Sequence, residues 1–274
     1  MTKIAPPTIP TDSYGVLFRD KHESEFDDVA EQVRRIGYGI LDSGYSIKEL
    51  KHLSEAFNLT RTNYIQSYGE MRLRSAKEFH TIRAPLTHGD PVFVRLATNE
   101  KLLNVVRRLI IGKFILNQQN GIINPPQKNY NQGAWHRDLP YQHYISNSPL
   151  AVNALFCVDD FTFENGSTFV LPATHKTPNY PSESYIRRNA LQIKAKAGQY
   201  ILLDCMIFHS GGFNATNAER RAVNHVYTIP YFKQQINLPD LLRHADLNQN
   251  QKEIFGFDFQ EFTSIDNYLN GRPR

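Results

Sequence analysis

Cysteine is nearly absent: Cys157 and Cys205 are the only two in 274 residues, too few for a disulfide framework. Each lies in an apolar stretch, so both read as buried, reduced thiols of a cytoplasmic protein. Long apolar runs are missing as well, and none approaches the ~20 residues that cross a bilayer. Met1 to Pro10 carries one lysine, three prolines and no apolar stretch, so it does not read as a secretory signal. Charge of one sign is not concentrated. The 31 basic and 27 acidic side chains leave a net +4, too mild and too dispersed for a nucleic-acid footprint. No internal repeat or heptad is visible.

What is present is a globular chain. Hydrophobic residues make up 41% and aromatic residues 12%, enough bulk for a core and too much for disorder. Residues 1 to 20, rich in Pro and Thr, are expected to drape over the surface. Phe26, Val29, Val33 and Ile36 have helical spacing. The run 37–41 reads as a short strand. Ser46 with Glu49 forms a capping-box signature that opens a helix over about 47–57. Thr98 or Asn99 caps a helix from Leu102 to Ile111, stopped by Gly112. After Gly112 short β-rich segments alternate with turns: 113–119, 150–158, 168–171, 191–195, 200–204 and 222–229. That spacing suggests a sandwich or barrel. The expectation is one domain over 1–274. A helical part over about 20–112 packs on a β core over about 113–230, under a C-terminal cover over 231–274.

His-X-Asp on a strand puts both side chains on one face, and with a distant second His it can form a facial triad for Fe(II). The tripeptide alone is a weak signal, and three are present. His88-Gly89-Asp90 runs into Pro91 and reads as a turn. His244-Ala245-Asp246 follows two leucines on a predicted helix, where i and i+2 point apart, and no His follows it. His136-Arg137-Asp138 lies between Trp135 and the pair Tyr141 and Tyr144, which suggests a lined pocket. A second His, His209, ends the apolar run 200–208. The glycine-rich turn Ser210-Gly211-Gly212 after it allows close backbone approach to a ligand. Arg220 then opens a strand, where a guanidinium can hold a carboxylate in bidentate fashion.

Together His136-Arg137-Asp138, the run from Glu164-Asn165-Gly166 to His175-Lys176, His209-Ser210-Gly211-Gly212-Phe213-Asn214 and Arg220 resemble the phytanoyl-CoA dioxygenase family, a branch of the Fe(II)/2-oxoglutarate-dependent oxygenases. The resemblance spans roughly residues 113–230. It implies a mainly β protein with N-terminal helices, its core a double-stranded β-helix (jelly-roll, cupin-like). By the same resemblance His136, Asp138 and His209 are the iron ligands, and Arg220 holds the distal carboxylate of 2-oxoglutarate. Gln119 stands where relatives place a polar residue near cofactor or iron. Strand alternation puts Arg220, Ala222 and Asn224 on one face, with Arg221, Val223 and His225 on the other. The chain departs from the family in having Gly211, with Ser210 before it, where many relatives carry a serine that contacts the cofactor. It also has Asn153 or Leu155 where a tryptophan is common.

The implied activity is hydroxylation of an unactivated C–H bond of a small molecule, using O2 and 2-oxoglutarate and releasing succinate and CO2. Desaturation, epoxidation or ring formation at the same iron is an alternative, and so is a non-catalytic cupin-like binding protein. The intact His136, Asp138, His209 and Arg220 speak against the latter. An iron halogenase lacks the carboxylate that Asp138 supplies. His175 reads as a structural or rim residue, and His143 as a candidate at the pocket mouth. Arg72, Arg74, Lys77, Arg83 and Arg95 form either a solvated surface or a lid that greets an anionic substrate.

Overall fold

The computed structural model describes residues 9, 10, 12–20, 22–139 and 144–271. Tyr141 and His143 therefore lie outside the described residues. The chain opens with α1 (Glu25–Ile36), whose first turn carries Glu25, Asp27 and Asp28 and whose last carries Arg34 and Arg35, both favourable to the helix dipole. It continues through β1 (Tyr38–Asp42), α2 (Ile47–Tyr68), α3 (Glu70–Ser75), β2 (Thr81–Arg83), α4 (Pro91–Ala97) and α5 (Glu100–Leu109). The predicted capping box is formed: Ser46 and Glu49 each satisfy the other's backbone N–H. The helix it opens runs a full three turns beyond the expected end, until Gly69. Asn99, not Thr98, caps α5.

The β core follows as β3 (Ile115–Asn124), β4 (Ala151–Cys157), β5 (Phe169–Val170), α6 (Glu183–Asn189), β6 (Leu191–Gln192), β7 (Gln199–Asp204), β8 (His209–Ser210) and β9 (Arg220–Thr228). Short helices α7 (Leu238–Leu241), α8 (Gln249–Ile254) and α9 (Ile265–Asn270) end the chain. One antiparallel sheet has the order β1-β7-β4-β9-β3-β2, and the other has β6-β5-β8. The N-terminal part is thus not only a helical layer. It supplies both edge strands of the large sheet, β1 beside β7 and β2 beside β3.

The large sheet is buried on both faces, which is why its strands read as continuous apolar runs. On β4, Val152, Ala154 and Phe156 pack with the helices, while Leu155 and Cys157 turn to the second sheet with Ile201, Leu203 and Ala222. The phenols of Tyr200 and Tyr227 donate to the carbonyls of Leu96 and Ala97 at the end of α4, pinning helix to sheet. Both cysteines are buried and unpaired, and burial pushes both thiols up. No helix among the described residues is long and apolar enough to cross a membrane.

Candidate metal and co-substrate site

The site opens between the two sheets. The chain around residue 136 forms an isolated antiparallel bridge with β8: His136 N–H donates to the His209 carbonyl at 3.0 Å, and His209 N–H donates back at 3.1 Å. Asp138 N–H donates to Cys205 O. Residues 73 apart in sequence are thereby locked side by side. The imidazole Nε2 atoms of His136 and His209 lie 3.8 and 3.6 Å from Asp138 Oδ1, and one ligand atom from each residue falls within 4.8 Å of the others.

Each imidazole is oriented the same way. His136 Nδ1 faces Ala134 O at 2.8 Å and His209 Nδ1 faces Ile207 O at 3.1 Å. A carbonyl only accepts, so Nδ1 carries the hydrogen and the Nε2 lone pair is left for a metal. Burial also lowers the pKa of His209, which keeps the ring neutral. The third residue of the cluster, Asp138, is held by Asn153 of β4, whose Nδ2 donates to Asp138 Oδ2 at 2.7 Å. Two imidazoles and one carboxylate, gathered on one side of a cavity, fit a divalent iron ion.

Arg137, between His136 and Asp138, points the other way. Its guanidinium donates to the carbonyls of Thr174, Thr177 and Pro178 and covers the Phe208 ring. It ties the turn after β5 to the His136–Asp138 segment. His175 in that turn is buried and bonds Arg34 O, a structural position, as expected.

The cavity beside the His136, Asp138 and His209 cluster is walled on β9 by Arg220, Ala222 and Asn224, the face that alternation foretold. The Arg220 side chain is 3% exposed and stacks over Phe161 at 4.0 Å. It donates to Gly166 O, its Nε has no partner, and no carboxylate among the described residues pairs with it. A buried guanidinium without a carboxylate partner is costly to the fold and favours an anion beside it. Gly166 and Gly212 explain the glycines of both motifs. A Cβ on Gly166 (φ +72°) would run into the Gly212 carbonyl, and one on Gly212 would sit 2.7 Å from Ser167 O. The two loops touch backbone to backbone, and Asn124 Nδ2 donates to Gly212 O across them.

Arg221 faces away and pairs with Asp159 at 2.6 Å, reaching Ser54 and Asn58 of α2. Gln119 does not line the cavity, contrary to what the family resemblance implied. It is paired in register with His225 and shares the helix-facing side of the sheet. Its Nε2 donates to Phe93 O and faces His225 Nε2 at 3.0 Å, while its Oε1 accepts from Leu86 N. A bulge between Leu116 and Gln118 sets that parity. Trp135 packs on Phe169 and does not line the cavity, nor does Tyr144.

The two decoy tripeptides lie elsewhere. Asp90 caps α4, and Asp246 is exposed in irregular chain after α7 rather than on a helix. None of the basic residues between 71 and 95 lines the cavity. Arg74 pairs with Glu70, Arg83 with Glu78, and Arg72 covers Tyr68. Sequence reading missed Asn153 and Tyr130. Asn153 stood where a tryptophan was sought, and Tyr130 lies in extended chain without a motif.

The family model described as phytanoyl-CoA dioxygenase matches residues 33–222. The uncharacterized protein Rv1501 of Mycobacterium tuberculosis is 27% identical over 256 residues, 90% of this chain and 93% of that protein. Among solved structures, iron-bound EctD from S. alaskensis superposes with a TM-score of 0.61 at 22% identity, covering 80% of this chain and 84% of that one. The α-ketoglutarate-dependent epimerase SnoN from nogalamycin biosynthesis gives 0.56 at 19% identity, covering 81% and 89%.

Proposed function

The chain belongs to the phytanoyl-CoA dioxygenase family, and from that premise we propose that it is an Fe(II)- and 2-oxoglutarate-dependent dioxygenase that hydroxylates an unactivated C–H bond of a small molecule. The reading takes 1–274 as one catalytic unit, which the place of β1 and β2 in the large sheet supports. The observation that carries it is the pairing, in one cavity, of the His136, Asp138 and His209 cluster with the Arg220 guanidinium, which pairs with no carboxylate among the described residues. A 2-oxo dicarboxylate has the two ends that such a cavity needs.

When bound, iron, 2-oxoglutarate and O2 supply the oxidising chemistry, turning the co-substrate into succinate and CO2 as one oxygen atom reaches the substrate. The chain does the rest. His136, Asp138 and His209 would hold the metal at the wall of the cavity. Arg220 pairs with the far carboxylate, and its burial strengthens that pair. Asn153 keeps Asp138 oriented. Ile122, Leu155, Leu203 and Ala222 line the cavity with apolar groups that exclude water. Hydroxylation is the outcome that asks nothing more of these residues. Halogenation needs the place that Asp138 fills.

The test is anaerobic addition of Fe(II) and then 2-oxoglutarate, read by the weak visible absorption of the chelate. A screen of a metabolite library in air, read as succinate formed, follows it. Absorption that is lost with Asp138→Ala, and succinate that rises with one substrate class, is the expected result. No absorption and no succinate overturns the reading.

A further inference from the structure

Tyr130 stands at the Arg220 end of the cavity, on the segment that leads from β3 to the metal ligands. That segment is clamped to the chain after His209: Gly211 N donates to Gln132 O at 2.8 Å and Ser210 Oγ donates to Gly133 O at 3.1 Å. The ring fills the space over Gly211. A Cβ there would overlap the Tyr130 hydroxyl and lie 2.8 Å from its Cζ. Gly211 does not have a left-handed backbone, so the ring, not the main chain, is what requires glycine.

The Tyr130 oxygen accepts from Arg220 Nη2 at 3.5 Å. Its own hydrogen goes to no acceptor among the described residues, and Arg220 Nε is buried without one. Burial raises the phenol's pKa, against a smaller opposite pull from Arg220, so the group is an O–H donor at neutral pH. Unmatched donors from two residues meeting at the end of one cavity call for an acceptor with more than one oxygen.

We propose that Tyr130 donates its phenolic hydrogen to the distal carboxylate of 2-oxoglutarate beside Arg220, and so selects a dicarboxylate co-substrate. The inference rests on the co-substrate reading above. It makes Tyr130 a binding residue in addition to a wall.

The experiment is calorimetry on the anaerobic Fe(II)-loaded protein with two ligands, 2-oxoglutarate and 2-oxopentanoate, which has the same carbon chain without the far carboxylate. Tyr130→Phe keeps the ring and removes the hydroxyl. It is expected to weaken 2-oxoglutarate about tenfold or more, the scale of a hydrogen bond to a charged group. Binding of 2-oxopentanoate, iron affinity and the melting temperature should not change. Gly211→Ala, which pushes the ring aside, should give the same selective loss. Equal weakening of both acids, or no change in either, overturns the role of Tyr130 while leaving the co-substrate site standing. A wild-type protein that binds no 2-oxoglutarate, or an Arg220→Leu variant that binds it normally, overturns the site reading and this inference with it.

Discussion

Asn153 and Asp138 divide the work of one carboxylate: Asn153 Nδ2 holds Oδ2 at 2.7 Å, which leaves Oδ1 toward the two imidazoles. A carboxylate so held would present Oδ1 to a metal bound by the cluster. Asn153→Leu is close in volume and removes the donor. It should weaken Fe(II) about 10–100-fold, the usual scale for a partner behind a metal ligand. Competition against a chelator measures this, and unchanged affinity would show that packing alone orients Asp138.

The three His-X-Asp tripeptides give an internal control. Asp138→Ala removes the only anionic ligand of the cluster and should abolish iron binding. Asp90→Ala removes the cap of α4, at about 1 kcal/mol of stability, and should keep the iron. Asp246→Ala should change neither. Iron titration with a melting curve on each variant separates the three.

The adjacent arginines should part in a similar way. Arg220→Leu leaves the carboxylate of 2-oxoglutarate without its partner, a loss of about 3–5 kcal/mol, or on the order of a hundredfold or more in affinity. Arg221→Leu breaks the tie of Asp159 to α2. It should lower the melting temperature and leave 2-oxoglutarate affinity near normal. Equal effects on affinity would contradict their opposite faces.

Stability should fall in mild acid through His225. The ring is buried, with Nδ1–H donating to Ala154 O and Nε2 accepting from Gln119. Burial lowers its pKa from 6.5 to about 4. Between those values the unfolded chain binds the proton and the folded chain does not. The contribution is therefore fully present above pH 6.5 and is lost as pH falls toward 4. At 1.36 kcal/mol per unit it amounts to about 3 kcal/mol. Urea denaturation at pH 7 and pH 4.5 should show that loss, and His225→Asn should remove this part of the slope.

Much of the site was legible because its chemistry is local. A strand repeat of two puts His136 and Asp138 on one side, and the same repeat separates Arg220 from Arg221. The glycine turn at 211 and 212 was expected to let the backbone approach a ligand; the structure sets Gly211 against the Tyr130 ring and Gly212 against the Ser167 carbonyl. The capping box at Ser46 and the strands after Gly112 were visible for the same reason: each depends on neighbours a few residues away.

What the sequence by itself determined, then, is which side chains can share a face and which turns must lack a Cβ. Only the tertiary structure decided which faces meet. Gln119 was misplaced because its side depends on the bulge at Leu116/Gln118 and on pairing with a strand more than a hundred residues later. β1 and β2 became sheet edges because partners far along the chain, β7 and β3, had open backbone donors and acceptors. Asn153 and Tyr130 joined the site because folding put an amide beside Asp138 and a phenol beside Arg220. Pairing register and close approach are properties of two segments at once, and no pattern within one segment encodes them.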